Sequence, residues 1–172
     1  MKSVEKLYFI TAGMPLRTKG SYNEAFDVLS EMKLDGMEME FVHGVRISDL
    51  NKAVVKDKSE QNNFIITAHA PFYINLNSPE LEKIEASIER IIETVNVADE
   101  VNAYSITFHA AFNMGKSKEE VYSVVKDGFE KITEKTKDKK VWIRPETTGK
   151  TTQWGDMEEV IKLSKEFDNV LP

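Results

Sequence analysis

Three hexamers in this chain end on side chains able to share a metal ion. Phe64 to His69 reads FIITAH, Tyr104 to His109 reads YSITFH, and Val141 to Glu146 reads VWIRPE. Two imidazoles and one carboxylate can hold zinc while leaving a position open for water, whose pKa then falls toward ~7. The chemistry such a set points to is metal-assisted hydrolysis at neutral pH. Each hexamer is β-rich, and side chains alternate faces along a strand. His69 therefore shares a face with Thr67 and Ile65, His109 with Thr107 and Ser105, and Glu146 with Arg144 and Trp142. The opposite face carries Ile66, Ala68, Ile106, Phe108, Val141 and Ile143, apolar enough to lie under helices. Neighbouring parallel strands in register would bring His69, His109 and Glu146 to one rim, where α/β folds build their active sites.

Each feature also has a plainer reading. A lone histidine in such a place is often only a hydrogen-bonded polar residue. Glu38 and Glu40 are expected to pair with Arg144 or a lysine, because two neighbouring buried carboxylates are costly unless paired. His43 is expected in solvent on a loop. Phe72 and Tyr73 either cap the mouth of the site against the loop at Asn75 or stand exposed for a ligand. The lysine-rich segment from Lys131 to Lys140 reads as the solvated end of a helix.

The elements that must position these groups alternate along the chain. Leu7 to Ile10 opens as an apolar strand, followed by a turn-rich loop from Thr11 to Gly20. Ser21 with Glu24 has capping-box spacing for a helix that Gly36 ends. Met37 to Phe41 alternates Met-Glu-Met-Glu-Phe, placing Glu38 and Glu40 on the face of the histidines. A helix from about Ser48 to Glu60 precedes the first hexamer. Ser78 and Pro79 mark the next helix start, and Leu81, Ile84, Ile88, Ile91, Ile92 and Val95 give it an apolar stripe. Ser117 with Glu120, and Asp156 with Glu159, repeat the capping-box spacing, and Asn169 to Pro172 reads as the entry to a sixth strand. Five strand-helix units predict an α/β fold with a parallel sheet. The glycine-rich turn of a dinucleotide-binding fold is missing after the first strand. A polar strand face also suits a barrel interior better than a sheet covered on both sides.

Composition bounds the rest. The chain has 172 residues, 41% hydrophobic and 30% charged, with a formal net charge of −6 and no cysteine. This is enough for a single domain over 1–172. The charge argues against a broad non-specific nucleic-acid surface. Without cysteine, any metal is held by nitrogen and oxygen. No apolar run approaches the ~20 residues of a membrane span, and the N-terminus lacks a signal-peptide core, so a cytoplasmic location is expected.

The stretch Thr67 to Leu76 (TAHAPFYINL), then Phe108-His109, then Arg144 to Asp156 (RPETTGKTTQWGD), resembles the endonuclease IV family in its archaeal form. The resemblance implies a TIM barrel with a trinuclear zinc centre that cleaves DNA on the 5′ side of abasic sites. It implies that His69, His109 and Glu146 surround one zinc, with Glu146 shared with a second and so part of the catalytic centre. The family's groove-probing aromatic lines up with Phe72 or Tyr73, and its DNA-contacting arginine matches Arg46 by location. A TIM barrel needs ~250 residues, so this chain supplies about five of eight βα units, a partial (β/α)8 barrel without strands six to eight. The chain is then a fragment or a shortened relative, and its catalytic competence is in question. Folded alone, its first and fifth strands would be open edges that favour a homo-oligomer. Two other readings remain: a sugar isomerase or epimerase of the xylose isomerase-like group, and a non-catalytic, self-associating half-barrel.

Overall fold

The computed structural model describes residues 6–172. Five strands, β1 (Ile10–Ala12), β2 (Gly36–Glu40), β3 (Ile65–His69), β4 (Ser105–Phe108) and β5 (Trp142–Pro145), form one sheet in sequential order, every neighbour parallel. Helices α1 (Tyr22–Met32), α2 (Asp49–Asn62), α3 (Leu81–Glu100), α4 (Lys118–Lys135) and α5 (Met157–Ser164) connect and follow them. This is the expected α/β fold of five βα units, a partial barrel.

The core lies between the sheet's apolar face and the helices. Ile66, Ala68, Ile106, Phe108, Val141 and Ile143 are all buried there. They meet the stripe of α3 at Ile88, Ile91, Ile92 and Val95 and that of α4 at Val121, Val125, Phe129 and Ile132. Leu81, at the head of the α3 stripe, is exposed.

The helix starts follow the side chains that reach the first free N–H groups. Ser117 and Asp156 cap α4 and α5 with complete capping boxes, and Ser48 caps α2 by accepting from Asn51 N. Ser21 precedes α1 without a side-chain cap bond, and the Glu24 carboxylate, which would complete the box, accepts from Lys19 N. The helix at Ser78-Pro79 begins later, at Leu81, since Ser78 Oγ is engaged with Glu80 N in the preceding turn. Gly36 does not end α1. Lys33 does so in the left-handed conformation, and Gly36 begins β2, where a Cβ would sit 1.8 Å from the carbonyl oxygen of Ile65. The first strand starts at Ile10 rather than Leu7.

Two features of the sheet differ from the expectation of hexamers in register. β4 and β5 do align hexamer to hexamer, Ser105 opposite Trp142 and Thr107 opposite Arg144. Across β3 and β4, however, His69 lies opposite Thr107, so His109 stands two residues ahead. A shift of two keeps every side chain on its face. Nor is the fifth strand a bare edge. Val170 bridges to Ile143 in parallel, with Ile143 N donating to Asn169 O and Leu171 N to Ile143 O, as a sixth strand would begin.

Candidate metal centre

The register sets out the site as rows across the concave face. One row runs Glu38, Thr67, Ser105, Trp142, and the next runs Glu40, His69, Thr107, Arg144. His109 and Glu146 come just past the ends of β4 and β5, one step further toward the rim. Backbone bonds hold them there: Phe41 N donates to His69 O, Ala70 N to Thr107 O, and Glu146 N to Phe108 O. Behind Glu146, Gly155 passes so close that a Cβ would lie 2.9 Å from the Glu146 carbonyl oxygen.

The three hexamer ends meet. His69 Nε2 lies 3.3 Å and His109 Nε2 3.5 Å from the same oxygen, Glu146 Oε2. One donor atom from each of the three residues lies within 4.8 Å of the others. Zinc–ligand bonds of ~2.0–2.2 Å in a tetrahedron place neighbouring donors about 3.3–3.5 Å apart. Hydrogen bonds to a carboxylate would be shorter, near ~2.8 Å. Two imidazoles sharing one oxygen at the longer spacing fit co-ligands better than donors. His69 Nδ1 faces the carbonyl of Ala70 at 2.8 Å. A proton on Nδ1 satisfies that carbonyl and leaves the Nε2 lone pair free for a metal. His109 Nδ1 is buried with no hydrogen-bond partner among the described residues, so its tautomer is not fixed in this way. The residues present thus fit a zinc ion.

A cleft of about 350 Å³ opens beside the cluster, with His69, Glu146, Glu38, Thr67, Thr107 and Arg144 in its wall. Glu38 accepts from Thr67 Oγ1 at 3.1 Å, not from Arg144 as its charge suggested. Burial first, then the neighbouring Glu40, push the Glu38 carboxyl above its ordinary range, partly opposed by the Thr67 bond and by His69.

At the rim, Phe72 and Tyr73 are half exposed with ring centroids 4.1 Å apart. His43 is exposed yet not merely solvated: its ring is edge-on to Phe72 at 5.5 Å, and its Nδ1 lies 3.4 Å from Tyr73 Oη. Arg46 is exposed on the same loop after β2. No alternation or motif marked the contact of His43 with the aromatic pair, because it joins two loops far apart in sequence. The lysine-rich segment is a solvated helix end, with Lys137 paired locally to Glu134 and Lys135 reaching Glu89 on α3.

With the geometry in hand, comparison with known proteins bears on the family. Residues 26–171 match the model of the xylose isomerase-like TIM barrel family. The chain belongs to that family. It is 42% identical over 168 residues to an uncharacterized protein of Methanocaldococcus jannaschii, covering 96% of this chain and 60% of that relative. It is also 29% identical over 111 residues to a "Probable endonuclease 4" of Acholeplasma laidlawii, covering 64% of this chain and 37% of that protein. Among solved structures, a D-psicose 3-epimerase superposes with a TM-score of 0.75 at 16% identity, covering 94% of this chain and 61% of the other. Endonuclease IV from Thermus thermophilus superposes with a TM-score of 0.72 at 15% identity and the same coverage. At such identities the superpositions establish the fold alone. This member of the xylose isomerase-like family spans about 60% of the length of the first of these relatives. No helix among its described residues is long and apolar enough to cross a membrane.

Proposed function

We propose that this chain carries part of the metal centre of an endonuclease IV-type, zinc-dependent phosphodiesterase that cuts DNA on the 5′ side of abasic sites. The observation that carries the reading is the convergence of His69, His109 and Glu146 on one point at the rim of the sheet. Sequence similarity to a protein named endonuclease 4 supports it from another direction.

Within that reading the residues divide the work. His69 and His109 offer neutral nitrogens, and Glu146 offers the carboxylate that holds them together and offsets the charge of the cation. Zinc bound there would supply Lewis acidity toward a phosphate oxygen and a source of hydroxide at neutral pH. Phe72 and Tyr73, exposed at the rim, provide faces on which a base or an abasic gap can be stacked. Arg46, exposed on the adjoining loop, offers a cation for a backbone phosphate. Three ligands make only part of the trinuclear set the activity uses, so this chain alone is expected to bind zinc weakly and hydrolyse slowly.

A sugar epimerase is the second reading, favoured by the equally close superposition on D-psicose 3-epimerase. The two separate on substrate. With zinc present, an abasic duplex nicked on its 5′ side, and lost with His109→Ala, supports the nuclease. Turnover of a ketohexose with no nicking supports the epimerase.

A further inference from the structure

Each of the three candidate ligands opens a loop at the rim: His69 ends β3, His109 follows β4 and Glu146 follows β5. His109 and Glu146 stand past the paired residues of their strands, so their distance from His69 depends on how the loops are held to one another. Asparagines do the holding. Asn77, in the loop after β3, is wholly buried. Its Nδ2 donates to Phe112 O at 2.8 Å and to Asn113 O at 3.2 Å, both in the loop after β4, and its Oδ1 accepts from Lys116 Nζ at 2.7 Å. Carbonyls only accept and an ammonium only donates, so these partners fix which way the amide faces. Asn75 Oδ1 accepts from Asn77 N and from Phe112 N, both at 3.1 Å. Asn113 carries the link onward, its Nδ2 donating to Thr151 O and its N to Thr152 O in the loop after β5. The bonds thus pass from the His69 loop through the His109 loop to the Glu146 loop. Removing the buried amide would leave two carbonyls without their donor and open the chain of bonds at its centre.

We propose that Asn77 is a positioning residue of the metal centre, tying the three ligand-bearing loops into one block so that His69, His109 and Glu146 are held at their spacing before a cation arrives. The inference rests on the metal centre of the reading above and on neither of its substrates. Groups that orient a ligand set from behind commonly govern metal affinity by ~10–100-fold.

NMR of the metal-free chain and zinc titration against a chromophoric chelator test it together. The chain has three histidines, so their ring signals are few. The rings of His69 and His109, with centroids 6.0 Å apart, should show a proton–proton contact in the metal-free wild type. Asn77→Asp is the same size and keeps the bond to Lys116, but it sets a carboxylate oxygen against two carbonyls. It should lose the ring contact and bind zinc about tenfold more weakly or worse. Lys116→Met leaves the two Nδ2 bonds in place and should match the wild type in both measurements. Asn113→Ala serves where Asn77→Asp does not fold: it cuts only the side-chain bond to Thr151 and should lower zinc affinity by a smaller factor. No ring contact in the wild type would overturn the proposal, as would zinc affinity unchanged in a folded Asn77→Asp or, failing that variant, in Asn113→Ala. A Lys116→Met variant as impaired as Asn77→Asp would overturn it as well. A wild type that shows the ring contact, loses it in Asn77→Asp and binds no zinc would refute the metal centre and leave the positioning role standing.

Discussion

At the scale of residues, the candidate centre depends on atoms that touch one another across three strands. Glu146 Oε2 is the shared point, 3.3 Å from one imidazole and 3.5 Å from the other. Replacing His69 or Glu146 by alanine removes a ligand outright, and zinc affinity should drop by about 100-fold or more, read by competition with a chromophoric chelator. His43→Ala, which touches the rim aromatics and none of the three ligands, should leave zinc affinity unchanged. Phe72→Ala should weaken binding to an abasic duplex by about 1–3 kcal/mol through lost stacking, again with zinc binding intact. Unchanged DNA affinity in that variant would remove the rim from the function. That His69, His109 and Glu146 come together was legible in the sequence because strand alternation and the repeated hexamer are local rules. The partners of Glu38 and His43 were not: both depend on which side chain arrives first from another part of the chain, and charge alone favoured Arg144 where a hydroxyl from Thr67 was nearer.

At the scale of elements, the same spacing in the sequence led to different outcomes. Ser117 with Glu120 closes a complete box at the start of α4, whereas Ser21 with Glu24 does not at α1. Ser117→Ala should therefore cost about 1 kcal/mol of stability in urea unfolding. Ser21→Ala should change it by less than about 0.5 kcal/mol. Equal losses would mean that Ser21 caps α1 in solution after all. The capping motif lists the residues able to cap, but it does not say whether the glutamate has a better donor, here the amide of Lys19. Strand identity was easier to read than strand ends, because the apolar face extends past the last ladder bond. Gly36 shows what a single close contact imposes. With a Cβ 1.8 Å from Ile65 O, Gly36→Ala must push β2 from β3, and a loss of at least about 3 kcal/mol is expected in the same assay.

At the scale of the whole molecule, the helix layer is tied together by pairs that reach between elements: Lys52 to Glu100, Lys126 to Glu166, Lys135 to Glu89, and Lys118 to Asp156. Most are well exposed, and such pairs contribute little singly. Asp156 differs because it also caps α5. The Lys118 ammonium, and then the amide of Glu159, hold its carboxyl below the ordinary value of 3.8. A group with a depressed folded value stabilises the fold above its unfolded pKa and loses that contribution as pH falls through the folded one. The stability of the chain should therefore decline below about pH 4, and Asp156→Asn should flatten part of that decline in unfolding curves taken from pH 6 to pH 2. An identical slope in the variant would assign the acid sensitivity elsewhere. The overall α/β order was legible because strand and helix periods alternate without interruption. The offset between β3 and β4 was not, since pairing register is fixed only when strands meet.

That offset gives the centre an odd-even logic. Sliding β3 by a single position would turn His69 toward the helices and put Ala68 or Ala70 in its place, dismantling the donor set at a stroke. Sliding it by two would return an imidazole to the concave side, one pleat higher or lower. Shortening the loop ahead of β3 by one residue and then by two should make metal affinity vanish and partly reappear, a behaviour governed by parity rather than distance.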